Sequence, residues 1–310
     1  MAEPLFAVAS ARDREASAAE RMTRAMGYLW LSAAYAAAGA MGCGLGALAA
    51  SAATWLGIVV GSVTSALVLF GFDWFHRSTR FVELMWSLGP LVIAVAVLRF
   101  APSEGSSPVR RVLVLVVILL WSLRAAALWV RRFRGPREES SIHARLRERY
   151  GDRFAWVSLG ALHVAPALVL ALGAMSFLPI FSTGRSGLNI LDIAASTVTL
   201  AGLVIGAVAE HQLRRFTRTS RIPTRVCDEG LFSVCRHPRY LGDMMFWWGI
   251  ALFALAAEAS ALWAVLGPLA LSLVLVFYAA PRRERRELER RPDYAHYRTR
   301  VPAFLPRVFR

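Results

Sequence analysis

Eight apolar stretches of about twenty residues run through this chain, and they constrain its fold more than anything else. They cover residues 27–50, 54–73, 81–100, 109–130, 155–180, 188–210, 241–257 and 260–280. Crossing the hydrocarbon core takes about 20 apolar residues as helix. Lipid offers no partner for an open backbone group, so such segments must bond internally. The chain is 56% hydrophobic and 18% charged, with a mean hydropathy of +0.47, which excludes an ordinary soluble globule and a disordered chain alike. The expectation is an all-α, polytopic membrane helix bundle of about eight transmembrane helices. Seven remain possible if the first hairpin is re-entrant. The spacings Gly42-x-x-x-Gly46 and Gly57-x-x-x-Gly61 favour close helix approach, hence a tight hairpin over 27–73.

Orientation follows from the arginines. All 36 basic residues are Arg, against 21 acidic residues, for a net charge of +15. With eight spans and both termini cytosolic, 31 of the 36 fall in five cytosolic segments, 8 of them in 131–154, 7 in 211–240 and 10 in the tail. That is the positive-inside pattern. It removes the nucleic-acid reading of the charge and places a basic mouth on one membrane face. Residues 1–26 hold eight charged side chains ahead of the first apolar run and read as a cytosolic amphipathic lead-in, not a signal peptide. Residues 27–73 form an extra hairpin, and 74–310 the main membrane domain with its basic tail. Cys43, Cys227 and Cys235 have neither a disulfide framework nor metal-ligand spacing.

Ionisable groups at membrane depth are costly and point to function. Glu83, Arg124, Glu210 and Asp243 all fall in the cytosolic half under this topology. Local pairs offer plainer readings: Glu83 with Arg80, Glu210 with Arg214, and Arg239 with Asp243. His163, alone in mid-span, reads as a hydrogen-bonded core histidine.

The most specific local feature is Arg236-His237-Pro238-Arg239-Tyr240, which opens the seventh span. Proline suits the first turn of a helix, and a helix N-terminus binds phosphate or carboxylate. Arg236, His237 and Arg239 surround it, and Arg225 lies in the same basic loop. Forked guanidinium groups suit anions. The tail, Pro281-Arg-Arg-Glu284-Arg-Arg-Glu287, leads to Tyr294 and Tyr297, which are placed to stack on or hydrogen-bond a nucleotide. Without a glycine-rich dinucleotide loop or a phosphate loop, any nucleotide site is built from helix ends.

At these residues the chain resembles the steroid oxidoreductase superfamily, and more narrowly a bacterial group of unknown function similar to steroid 5-alpha reductases. The resemblance runs from about residue 80 to 306. It rests on Glu83–Trp86, Trp121-Ser-Leu-Arg124, the loop 145–154, Glu210-His-Gln-Leu-Arg-Arg-Phe, the Gly230–Asp243 segment, Arg-Arg-Pro-Asp-Tyr-Ala-His-Tyr, and Phe304-Leu-Pro306. It implies NADPH bound from the cytosol and a lipidic enone entering from the bilayer. A glutamate and a tyrosine polarise the ketone in the steroid reductases. Glu83 stands in the glutamate's place, Trp121 in the tyrosine's, and Val82 where a glutamine is expected. Indole donates one hydrogen bond but relays no proton. Implied cofactor contacts are Arg124, Glu210, Arg214, Arg225, Arg236, His237, Arg239, Tyr240, Asp243, Arg282 and Arg286. The family has asparagine where Arg239 stands.

The turn is also similar to isoprenylcysteine carboxyl and phospholipid methyltransferases, whose histidine and tail acids bind S-adenosylmethionine. Four arginines in residues 282–286 favour a phosphorylated cofactor over a sulfonium. Three expectations follow: an NADPH-dependent reductase of a lipophilic substrate in the bacterial inner membrane, with its active site on the cytosolic side; an S-adenosylmethionine-dependent methyltransferase; or a non-catalytic binder of anionic lipid. Neither the lipid substrate nor the oligomeric state is encoded in these patterns.

Overall fold

In the computed structural model, the described residues are 3–101, 105–133, 135, 141–183, 185–220, 222 and 224–304, with side chains omitted for 3–21, 141–143 and 183. Helix makes up 84% of the structure, and no strand occurs among the described residues, so backbone groups are bonded within segments as lipid demands. In chain order the α-helices are α1 (Glu3–Ala50), α2 (Thr54–His76), α3 (Arg80–Glu83), α4 (Met85–Phe100), α5 (Pro108–Arg132), α6 (Ser141–Tyr150) and α7 (Phe154–Val157). They continue with α8 (Ala165–Ala174), α9 (Ile190–Thr219), α10 (Leu231–Val234), α11 (Pro238–Ala257), α12 (Leu266–Leu273), α13 (Ala280–Arg290) and α14 (Tyr294–Arg300). Stretches of π-helix at Ser158–Val164 and Val274–Ala279 lengthen α7–α8 and α12–α13 into continuous spans.

Among the described residues, seven helices are long and apolar enough to cross a membrane: Met22–Ala50, Thr54–His76, Pro108–Arg132, Ala144–Ser182, Ile190–Thr219, Pro238–Ala257 and Leu262–Arg290. The shortfall from eight lies at the third stretch, not in the first hairpin. There the chain breaks at Leu84, between α3 and α4, and Pro90 interrupts the following helix. Proline removes a backbone donor from the ladder. The 16 residues of α4 span about 24 Å as helix, short of the hydrocarbon thickness.

The molecule comprises two compact units, Met1–Ile93 with Ser122–Leu170, and Ala94–Trp121 with Ala171–Arg310. In the first, α1 and α2 form the tight hairpin. A Cβ on Gly46 would lie 2.9 Å from the Gly57 carbonyl, and one on Gly57 2.6 Å from the Gly46 carbonyl. In the second, α9 and α11 meet the same way: a Cβ on Gly202 would lie 2.6 Å from the Gly242 carbonyl. Asn189 starts α9 by accepting from Leu191 N–H at 2.9 Å, while Asp192 accepts from Asn189 N–H at 2.8 Å, a capping box.

Arg110 locks the other end of that unit. Its side chain is fully buried. Its guanidinium donates to both Asp192 carboxylate oxygens at 2.6 and 2.8 Å, and to the carbonyls of Arg185 and Gly187 at 2.8 and 2.9 Å.

Candidate functional site

In the second unit, a shallow cleft opens beside the start of α11. Ala209, Glu210, Leu213, Phe232, Arg236, His237, Pro238, Arg239, Tyr240 and Arg283 line it. The sequence builds it in three steps. Gly230, at φ 60°, takes a left-handed turn that admits α10, and Gln212 accepts the Leu231 N–H at 2.9 Å. Pro238 then starts α11, whose N-cap His237 makes no side-chain cap bond. That leaves the first N–H groups of a 20-residue helix without a side-chain acceptor. Finally, the glycine contacts between α9 and α11 bring Glu210 and Arg239 together.

Glu210 is 2% exposed. Its oxygens lie 3.7 Å from Arg214 Nε and 3.6 Å from Arg239 Nη1, so one buried carboxylate meets two half-exposed guanidinium groups. Arg239 therefore reaches across to α9 instead of pairing with Asp243 on its own helix. Asp243 accepts from Trp121 Nε1 at 3.2 Å, and the Trp121 ring stacks on Phe246 at 5.4 Å.

The tail folds onto the same turn. Glu284 Oε1 accepts from Arg236 Nε and from His237 Nε2, both at 2.9 Å. Arg236 also donates to the carbonyls of Arg298 and Val301, and its own N–H donates to Pro302 at 2.9 Å. His237 N–H donates to the Ala303 carbonyl at 3.1 Å, and its ring stacks on Tyr240 at 5.5 Å. Arg236 thus lines the cleft but spends its guanidinium on the tail.

The tail differs from expectation in its helical phase. Arg282 donates to Tyr278 at 2.6 Å and Arg286 to the Arg282 carbonyl at 3.4 Å; neither lines the cleft. Arg283 lines it instead, while Glu284 bonds Arg236 and His237 of the turn. Tyr294 and Tyr297 are not stacking faces. Both are buried with Val301 against Val226 and Leu288, and Tyr297 donates to the Phe232 carbonyl at 2.6 Å. Burial, helped by the Glu284 charge, pushes the Tyr294 hydroxyl up to about 12, and burial also raises Tyr297. Burial likewise pushes the thiols of Cys227 and Cys235 up. Arg225 pairs with Glu229 at 3.0 Å on the surface, away from the cleft.

Glu83 lies in the first unit. Its carboxylate accepts from Arg80 Nη1 at 2.8 Å and from Trp129 Nε1 at 3.3 Å, with 29% of its side chain exposed. The local pair with Arg80 is thus present, and Trp129 adds an indole donor. Arg124 is half-buried, one turn beyond Trp121 on α5. Leu305 and Pro306, which close the resemblance segment, lie outside the described residues.

A family model described as a protein of unknown function, DUF1295, matches residues 69–301. The chain belongs to this family. The match begins near the end of α2, so α1 and most of α2 fall outside it. Two curated relatives are similar over shorter stretches. The nickel-cobalt-cadmium resistance protein NccN of Alcaligenes xylosoxydans xylosoxydans is 30% identical over 119 residues, 38% of this chain and 53% of that protein. The cobalt-zinc-cadmium resistance protein CzcN of Cupriavidus metallidurans is 39% identical over 80 residues, 26% of this chain and 34% of that one. The chain therefore spans about half and a third of these relatives. No solved structure matches it. Among the described residues, no three His, Cys, Asp or Glu side chains converge as a metal site.

Proposed function

We propose that this integral membrane protein is an NADPH-dependent reductase of a lipophilic, electron-poor double bond, with the cofactor's phosphates held at the start of α11. The observation that carries this reading is the uncapped N-terminus of α11 between Arg239 and Arg283. Free N–H groups and forked cations together favour a phosphate. NADPH, when bound, supplies a hydride. Glu210 holds Arg239 and Arg214 in place. Tyr240, stacked on His237, offers a ring and a hydroxyl beside the anion. Glu83 is the group for donating a proton or polarising the conjugated carbonyl. Trp121 gives its N–H to Asp243, so that role falls to Glu83 alone. A cytosolic mouth and cytosolic termini belong to the same reading.

A second reading has its own support. Glu210 brings a carboxylate to the cleft, and Glu284 bonds His237 of the lining, joining the turn to the tail. S-adenosylmethionine would place its carboxylate at the α11 N-terminus and its cations near those acids. The relatives' names suggest metal handling, but no ligand cluster among the described residues carries it. The deciding experiment titrates the detergent-purified chain with NADPH and with S-adenosylmethionine by calorimetry. Saturable NADPH binding that weakens in Arg239→Ala supports the reductase. Binding of S-adenosylmethionine alone reverses the ranking. Salt-sensitive binding of any anion without saturation rejects both.

A further inference from the structure

Three helices send a polar group to the single turn of α3, the turn that carries Glu83. Tyr35 of α1 donates its hydroxyl to the Phe81 carbonyl at 2.6 Å. Trp129 of α5 donates to Glu83 itself. Asp73 of α2 accepts from Phe81 N–H at 3.1 Å through Oδ1, and from Val82 N–H at 3.0 Å through Oδ2. A helix start leaves these N–H groups without intrahelical acceptors. Thr79, at the N-cap position, makes no side-chain cap bond. A residue from the preceding span therefore does the capping.

Behind Asp73 stands His163. Its Nε2 lies 3.1 Å from Asp73 Oδ2, and its Nδ1 lies 2.9 Å from the Ser158 carbonyl. The ring meets an acceptor on each side and packs edge-on against Phe70 at 5.2 Å. His163 is 0% exposed and Asp73 3%. The histidine sits in the π-helical stretch Ser158–Val164, and such insertions are frequent at functional sites. Burying two ionisable groups in a membrane span costs more than packing apolar groups of the same volume. Two bonds of the pair end on the backbone immediately before Glu83.

We propose that Asp73 and His163 are a positioning pair, holding α3 so that Glu83 presents its carboxyl at one fixed place between Arg80 and Trp129. The proposal rests on the reading of Glu83 as the reacting carboxyl, and it extends the functional set to two residues that touch no ligand. His163 orients the Asp73 carboxylate, Asp73 fixes the two amides, and the amides fix Glu83. This is the way outer partners orient a reacting group in other sites.

The full chain in detergent is treated with dicyclohexylcarbodiimide, which modifies carboxyl groups in apolar surroundings. Adducts at Glu83, Glu210 and Glu284 are quantified by mass spectrometry. His163→Leu keeps the bulk and removes both ring contacts. Glu83 labelling should fall about tenfold in it while the other two carboxyls hold their rates. His163→Gln, whose carboxamide still donates toward Asp73, should restore most of that loss. Unchanged Glu83 labelling in a folded His163→Leu protein, or an equal change at all three carboxyls, overturns the proposal. If His163→Leu fails to fold, Asp73→Asn is scored the same way. Failure of both to fold assigns the pair to packing and overturns it as well. Labelling needs no cofactor, so failure to bind NADPH counts against the proposed function and leaves this comparison readable.

Discussion

Removing the Glu284 carboxylate tests how the tail and the cleft depend on each other. Its Oε1 takes Arg236 Nε, Arg236 Nη2 and His237 Nε2, each at 2.9 Å, and its Oε2 lies 3.4 Å from Arg298 Nε. The Arg298 side chain is 53% exposed, so solvent screens its share to near nothing. Arg236 and His237, at 11% and 2%, keep theirs. Breaking a buried pair costs about 3–5 kcal/mol, because the surviving cation stays buried without its counterion. Arg236 retains the carbonyls of Arg298 and Val301, which puts Glu284→Ala near the lower end, about 3 kcal/mol. Since every 1.4 kcal/mol is tenfold, the undocked population of α14 should rise about a hundredfold. Limited trypsin digestion reads this directly, because Arg290, Arg298 and Arg300, none of them followed by proline, become cleavable on undocking. Cleavage tracks the open population when reclosing outpaces the protease. Glu284→Gln keeps an acceptor and should fall between. A Glu284→Ala rate within about threefold of the unmodified chain refutes the reasoning.

Other perturbations follow from the same geometry. Arg110→Met should cost about 3–5 kcal/mol in detergent unfolding, since it strands a buried Asp192, with Arg110→Lys intermediate. A loss below about 1 kcal/mol would show that Asp192 finds solvent or another donor. Gly202→Ala drives a methyl into the Gly242 carbonyl and should cost about 1–3 kcal/mol, read as a lower melting temperature; an unchanged value argues against the close α9–α11 approach. Tyr294 gives a pH signature. Its folded pKa lies above its unfolded value of about 10, so its contribution is fully present below pH 10 and is lost as pH rises toward 12. Tyr294→Phe should flatten the fall in stability across that window; an unaltered slope would show that the hydroxyl is not held protonated by burial.

Hydropathy located every helix that crosses or approaches crossing, because lipid imposes its length on each segment separately. It missed the break at Leu84, which depends on Asp73 capping α3 from the previous helix. The Arg-His-Pro-Arg-Tyr turn stood out in the sequence because proline and a helix start are local matters. The partners of that turn did not. Glu284 lies 47 residues from His237, and which face of α13 turns inward is set by packing, so Arg283 lines the cleft while Arg282 and Arg286 do not. Arg110 and Arg185 looked alike as topology signals, yet the Arg110 side chain lies wholly inside while Arg185 contributes its carbonyl. His163 was legible as a bonded core histidine. Its acceptor was not, because 90 residues separate it from Asp73.

The contacts of His237 also bear on when the cleft can exist during synthesis. Its ring waits for Glu284, and its backbone, with that of Arg236, waits for Ala303 and Pro302. A nascent chain still held at the ribosome can thread all its hydrophobic helices into the bilayer and yet lack these acceptors. The turn then keeps its Arg239–Glu210 pair but leaves Arg236 and His237 without their partners. A chain truncated before Glu284 would therefore insert its earlier helices with this half of the turn unfastened.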